Sequence, residues 1–269
     1  MIPKVALENL NISRMICGTN QFVGITHRAN PLDNLAHLIR FRNANIVAKF
    51  FIYLQQNHGV NACISSPREK IYEAIKITEK ETGERFYWIC SPSRRMTAKG
   101  LKPDVKFQIK WCAEHDVAVC IPHRDYTDHA IDKSNLTIGG NHPQFPPYPE
   151  LAELIRDLGM IPGLSTHFIE SIEAVEKQKY DAKVIVQPLN KIGFESDTSP
   201  ENLVQKIQST QLQIINIKPM AAGRISHTEA LPWNLSKIKK NDFLAVGFGH
   251  FKYCVEDAKM IDDFINQKN

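Results

Sequence analysis

Short apolar runs punctuate the chain from end to end, and polar, helix-periodic stretches separate them. The runs fall at residues 14–17, 61–64, 87–90, 118–121, 160–164, 182–186, 213–217 and 243–246, eight in all. They are nearly continuous in apolar character and lack period-two alternation, which is the signature of strands buried on both faces of a parallel sheet. The intervening stretches carry helix start signals. Ser66-Pro67-Arg68-Glu69 predicts a capping box with proline at the first helical position, followed at helical spacing by Ile71, Ala74, Ile75 and Thr78. Ser199-Pro200-Glu201 repeats the device before Leu203, Val204 and Ile207. Val255, Ala258, Met260, Ile261, Phe264 and Ile265 form one apolar stripe on the last helix. Eight strand–helix units within 269 residues predict an α/β fold, a single (β/α)8 TIM barrel, for which about 250 residues is usual. An open doubly wound sheet is the alternative, and no Gly-x-Gly-x-x-Gly follows the first strand to support it.

No composition shift or linker divides the chain, so residues 1–269 are expected to form one domain. One connection is out of proportion: residues 124–149, with Gly139-Gly140, Asn141-His142 and Pro146-Pro147, read as a long loop after the fourth strand. In a barrel that loop lies on the face that carries active sites. Composition is globular, at 43% hydrophobic and 23% charged. The net charge of +4, from 33 Lys+Arg and 29 Asp+Glu with interspersed signs, is too mild to announce nucleic acid or an anionic membrane as partner. No run spans a membrane, since the best, residues 47–54, contains Lys49. The start of the chain has no signal-peptide core, which leads to the expectation of a cytoplasmic protein with its six cysteines as thiols. Their spacing matches no zinc pattern. The expected partner is a small-molecule substrate, and nothing in the sequence sets whether the chain forms a homo-oligomer.

Candidate chemistry gathers at predicted strand ends. His27, His123, His167 and His250 follow strands one, four, five and eight, ends that converge on one mouth in a barrel. Asp125, two residues past His123, points the same way if the strand continues. His123, His167 and His250 would suit a zinc, iron or manganese ion; without metal, His123 and Asp125 serve as acid and base. Lys218 ends strand seven with Asn216 on the same face, placed to act as base, Schiff-base nucleophile or anion anchor. Its plainer role is a rim lysine with its head in water. Asn20, Gln21 and His27 offer substrate hydrogen bonds, and Arg94 an anion contact from the opposite side. Gly247 and Gly249 are candidates for a phosphate cradle, assisted by Lys252 and Arg224. The strand cysteines Cys17, Cys63, Cys90 and Cys120 are expected in the core; Cys120, an odd number of residues before His123, faces the helices if His123 faces the axis.

Several segments resemble the aldo/keto reductase superfamily of barrels. They are Cys17-Gly18-Thr19-Asn20-Gln21-Phe22, Gly163-Leu164-Ser165-Thr166-His167, Gln187-Pro188-Leu189-Asn190, Ile217-Lys218-Pro219-Met220-Ala221-Ala222-Gly223, and Val246-Gly247-Phe248 with Val255-Glu256-Asp257. The resemblance implies a nicotinamide cofactor, NADP(H), whose carboxamide Ser165 and Gln187 would hold, with Asn190 in the same motif. It makes His123 the tetrad histidine and turns Cys63 outward. The rest of that tetrad is missing. Ile64 stands where the family has its aspartate, Tyr72 falls inside a helix, and Cys90-Ser91-Pro92-Ser93 replaces the lysine. Reduction of a carbonyl by hydride requires a proton donor at the developing alkoxide, and Ile64 can neither ionise nor donate. Three readings follow. The first is a barrel enzyme acting on a small polar, anionic metabolite by acid–base or metal-assisted chemistry, with Lys218 as anchor. The second is an NAD(P)H-dependent oxidoreductase with His123 as proton donor. The third is a non-catalytic metabolite- or protein-binding barrel.

Overall fold

The eight apolar runs become eight parallel strands that close on themselves. The computed structural model describes residues 1–27, 30–93, 104–142 and 144–267. In chain order its elements are β1 (Lys4–Leu7), β2 (Leu10–Ser13), β3 (Met15–Gly18), α1 (Pro31–Arg40), α2 (Ala44–His58), β4 (Ala62–Ser65), α3 (Glu69–Thr82) and β5 (Tyr87–Cys90). Then come α4 (Val105–Glu114), β6 (Val119–Cys120), α5 (Arg124–Ala130), β7 (Ile131–Asp132), β8 (Thr137–Ile138), α6 (Tyr148–Asp157), β9 (Ile161–Ser165) and α7 (Ile169–Gln178). The chain ends with β10 (Val184–Pro188), α8 (Pro200–Ser209), β11 (Gln213–Ile217), α9 (His227–Lys237), β12 (Phe243–Gly247) and α10 (Phe251–Asn266). The ring runs β3-β4-β5-β6-β9-β10-β11-β12 and returns to β3, the (β/α)8 barrel expected from the sequence. Among the described residues no helix is long and apolar enough to cross a membrane.

Alternation along the strands sorts side chains into two layers. Ile16, Ala62, Ile89, Val119, Val184 and Ile215 fill the barrel interior. Their strand neighbours Cys17, Cys63, Cys90, Cys120, Ile185 and Ile214 face the helices in the larger outer core. All four strand cysteines therefore sit in the outer layer as small apolar side chains, and burial pushes the thiols of Cys63 and Cys90 up.

Three local expectations are corrected. The antiparallel hairpin β1–β2 precedes the first of the eight apolar runs, where a direct start on the first barrel strand is expected. It turns at Glu8, which takes a positive φ of 52°, and sends Leu7 and Ile12 into the interior cluster. Asn61 ties it down, accepting from the Ser13 amide at 2.8 Å and donating to the Asn11 carbonyl at 2.9 Å. Residues 124–149 are not one long loop: α5, the small antiparallel pair β7–β8 and the start of α6 take up part of the segment. The signal was hidden because each piece is too short to display a period. The capping box at Ser66 does not form either. The helix α3 begins at Glu69, and the Arg68 carbonyl accepts from the amides of Ile71 and Tyr72. Ser199 caps α8 as expected, accepting from the Asn202 amide at 3.2 Å.

Candidate active site at the barrel mouth

A cavity of about 550 Å3 opens at the C-terminal ends of the strands, the end where barrel folds place chemistry. Of the four histidines assigned there, His27, His123 and His167 line it, together with Lys218, Asn20 and Gln21. His250 does not; its Nδ1 caps α10 by accepting from the Lys252 amide at 3.3 Å. Among the described residues no three His, Cys, Asp or Glu side chains form a group that could hold a metal ion. The set His123, His167 and His250 is thus not assembled, because the helix start of α10 takes up the third imidazole.

Lys218 is the centre of the site. The strand β11 ends at Ile217, and the next residue turns into the left-handed region with φ 60°. That turn aims the side chain across the mouth, where the ammonium donates to Glu195 and lies 3.4 Å from His167 Nε2. Glu195 also pairs with His27, Oε1 to Nδ1 at 3.2 Å. His27 Nε2 in turn lies 3.1 Å from Asn20 Nδ2, an obligate donor, so the His27 proton sits on Nδ1 and points at Glu195. His27 and Glu195 are themselves in the left-handed region, with φ 55° and 57°. Each such non-glycine residue costs about 1–3 kcal/mol and persists only where its surroundings enforce it. All three meet in one hydrogen-bonded cluster.

Electrostatics follows from this packing. Burial alone would raise the Glu195 carboxyl, but the His27 hydrogen bond and the Lys218 ammonium outweigh it and hold the group well below the carboxylate range. For Lys218 burial wins over Glu195, so its ammonium loses its proton more readily than a free lysine. The shifts of the two partners oppose each other: the carboxylate draws on His27 as well as on Lys218, whereas Glu195 is the one acidic side chain that pairs with the ammonium among the described residues. His167 falls to about 3, chiefly through burial and then through the Lys218 charge. It is neutral at physiological pH, and its Nε2 accepts a hydrogen bond from the Lys218 ammonium. The ammonium has three donors; with Glu195 and His167 as partners, one is left for a ligand.

The expected His123–Asp125 partnership takes another form. The strand β6 ends at Cys120 and α5 starts at Arg124, so strand parity does not reach Asp125. His123 Nδ1 caps that helix by accepting from the Asp125 amide at 3.2 Å, with Asp125 Oδ1 also at 3.2 Å. Asp125 turns back to accept from Ser93 Oγ at 2.5 Å and does not line the cavity. Arg124, next to His123, does line it; 42% of its side chain is exposed, and its contact with Asp128 is loose at 3.9 Å.

The residues that the resemblance assigns to a nicotinamide do not fit that group together. Ser165 lines the cavity and so does Val186. Gln187, one residue on, alternates to the opposite face of β10 and is fully buried. Asn190 closes a turn, donating to the Phe194 carbonyl at 2.9 Å and accepting its amide at 2.7 Å. Gly247 lines the cavity, but a Cβ there would stand 2.4 Å from Gln21 Oε1. The glycine makes room for Gln21. The carbonyl of Gly249 accepts from Arg40 Nη1 at 2.5 Å, and Lys252 points to solvent, its side chain 71% exposed beside Glu256. Arg94 lies outside the described residues.

Sequence reasoning missed Glu195, His227 and Asp257. Glu195 lies in the connection between β10 and α8, where no pattern marks it. His227, the first residue of α9, pairs through Nδ1 with the Asp257 carboxylate of α10, and both line the cavity. Asp257 is 2% exposed, and burial raises its carboxyl despite that partner. It belongs to a segment read for its family likeness and for the apolar stripe of its helix; only the fold brings it to His227.

No family model matches the chain, and no curated protein matches it. Solved structures do. The glycerol dehydrogenase AKR11B4 from Gluconobacter oxydans superposes with a TM-score of 0.59 at 12% identity, covering 98% of this chain and 95% of that one. A variant of Gox0644 in complex with NADPH gives 0.55 at 11% identity, over 96% and 88%. A thiamine phosphate pyrophosphorylase from Pyrococcus furiosus gives 0.50 at 11% identity, over 82% and 89%. Likeness at such identities is a likeness of fold.

Proposed function

We propose that the mouth cavity is the active site of an aldo/keto-reductase-like barrel that works without that family's tetrad and acts on a small polar, anionic metabolite by acid–base chemistry. Lys218 anchors a negatively charged ligand oxygen with its free donor, Glu195 and His27 hold the ammonium in place, and neutral His167 shares the polarised edge. The observation that carries this reading is the Lys218–Glu195–His27 cluster itself, in which His27 and Lys218 line the cavity, Glu195 pairs with both behind them, and all three take left-handed backbone. Preorganised charge in a site shielded from water is the strongest single source of transition-state stabilisation. Arg124 adds a second, more exposed cation to the cavity lining. The placement of Gln187 and Asn190 weighs against the oxidoreductase alternative.

The test is a melting-temperature screen against small carboxylates and phosphorylated metabolites. A ligand at 100 times its Kd adds about 2.7 kcal/mol of stability. At least one anion is expected to stabilise the wild type, and Lys218→Met, still folded by circular dichroism, is expected to lose that response. Anions that stabilise both proteins equally, or none that stabilises either, would overturn the reading.

A further inference from the structure

The cavity holds a second titratable couple that the proposed anchor does not use. His227 and Asp257 come from different helices, α9 and α10, and meet through His227 Nδ1. The carboxylate is 2% exposed, whereas the imidazole keeps 27% of its side chain open and lines the same cavity as Lys218. An ionised carboxylate can only accept, so the contact places the imidazole proton on Nδ1 and leaves the Nε2 lone pair free. A base oriented by a buried acceptor is the recurring arrangement of proton-transfer sites. Tyr253 packs edge-on against the ring, centroids 5.9 Å apart, and limits its rotation.

We infer that His227, oriented by Asp257, is the proton-abstracting group of this cavity, and that the substrate is a carbonyl compound bearing a carboxylate and an acidic C–H beside its carbonyl. The inference rests on the Lys218 anchor reading and assigns it a reaction. His227 Nε2 takes the proton from carbon, and the C–H electron pair forms the C–C double bond. The carbonyl π pair moves onto oxygen, where the third Lys218 N–H stabilises it. The exposed Arg124 guanidinium suits the carboxylate as a planar two-pronged donor. Return of the proton from the imidazolium restores neutral His227 and the carbonyl, so the cycle needs no oxidant or reductant.

The experiment is hydrogen–deuterium exchange at C3 of pyruvate, 2-oxobutanoate and 2-oxoglutarate in D2O, followed by proton NMR. The wild type is expected to catalyse exchange of at least one acid, with a rate that rises with pH. His227→Gln is expected to lose about 100-fold and to lose that pH limb, the usual scale for removing one general base. Asp257→Asn is expected to slow exchange while the acid still raises its melting temperature. A His227→Gln protein that keeps wild-type exchange and its pH limb would make the couple a tie between α9 and α10 only. Carboxylates that stabilise through Lys218 with no exchange of any of the three acids would overturn this inference and leave the anchor standing. Absence of both effects would overturn the two together.

Discussion

Removing the Lys218 ammonium is the perturbation whose size the structure constrains best. Lys218→Met keeps the unbranched apolar stem, one atom shorter, and deletes the charge, leaving Glu195 with His27 at 3.2 Å as its one partner among the described residues apart from the distant His167. The side chains are 12% and 24% exposed, so the pair lies between a surface ion pair, worth under about 1 kcal/mol, and a buried one, whose breakage costs about 3–5 kcal/mol. With His27 still in place, a loss of about 2 kcal/mol is expected at pH 7, equivalent to roughly 4–8 °C in melting temperature. The pH dependence carries the sign. Glu195 is held below the ordinary carboxyl value near 4.3, so its contribution is complete above that pH and declines as pH falls through the lower folded value. In the variant the carboxylate protonates earlier and escapes the unpaired charge. The gap between wild type and variant should therefore be widest from pH 6 to 8 and narrow below about pH 4. Urea unfolding across that range, read by circular dichroism, measures it. A variant as stable as wild type at pH 7, or a gap that persists undiminished at pH 3, would refute the reasoning.

Three further outcomes follow from the same contacts. His167, neutral down to about pH 3, is charged in the unfolded chain below about 6.5; stability should fall as pH drops from that value towards 3, and His167→Gln should flatten the fall in acid unfolding curves. Ile12, fully buried in the hairpin that fills the far end of the barrel, should cost about 2–5 kcal/mol on mutation to alanine while leaving ligand stabilisation at the mouth intact by the melting assay. The six cysteines are all free and buried, so a thiol reagent should react slowly with native protein and fully in denaturant; fast titration of Cys17, Cys63, Cys90 or Cys120 in the native state would contradict the layer assignment.

Legibility followed the physical origin of each feature. Parallel barrel strands are buried on both sides, so their apolar runs stood out, and residues 87–90 and 213–217 match β5 and β11 end to end. Side-chain parity turned Cys120 towards the helices and the family resemblance did the same for Cys63, and both lie in the outer core. Parity failed at Asp125, where the strand stops before the residue and a helix begins. The β1–β2 hairpin was invisible because four-residue strands with mixed exposure carry too little pattern. Lys218 was legible as a charge at the end of an apolar strand. Its partner Glu195, and the Asp257 that orients His227, lie on other βα units, and only the closure of the ring brings them within reach. His250 shows the converse. A position just past a strand end is also the start of a helix, and the imidazole went to the cap.

Ligand binding beside Lys218 is the event on which the proposed function depends. Histidine-observed NMR, with resonances assigned by single His→Gln variants, reads this directly for any anion that stabilises the protein. The imidazoles of His27 and His167 should shift saturably with one common Kd, while His58 and His115, held by Asp262 and Trp111 outside the cavity, stay fixed. Saturable binding that leaves His27 and His167 unmoved would place the ligand elsewhere and contradict the central claim.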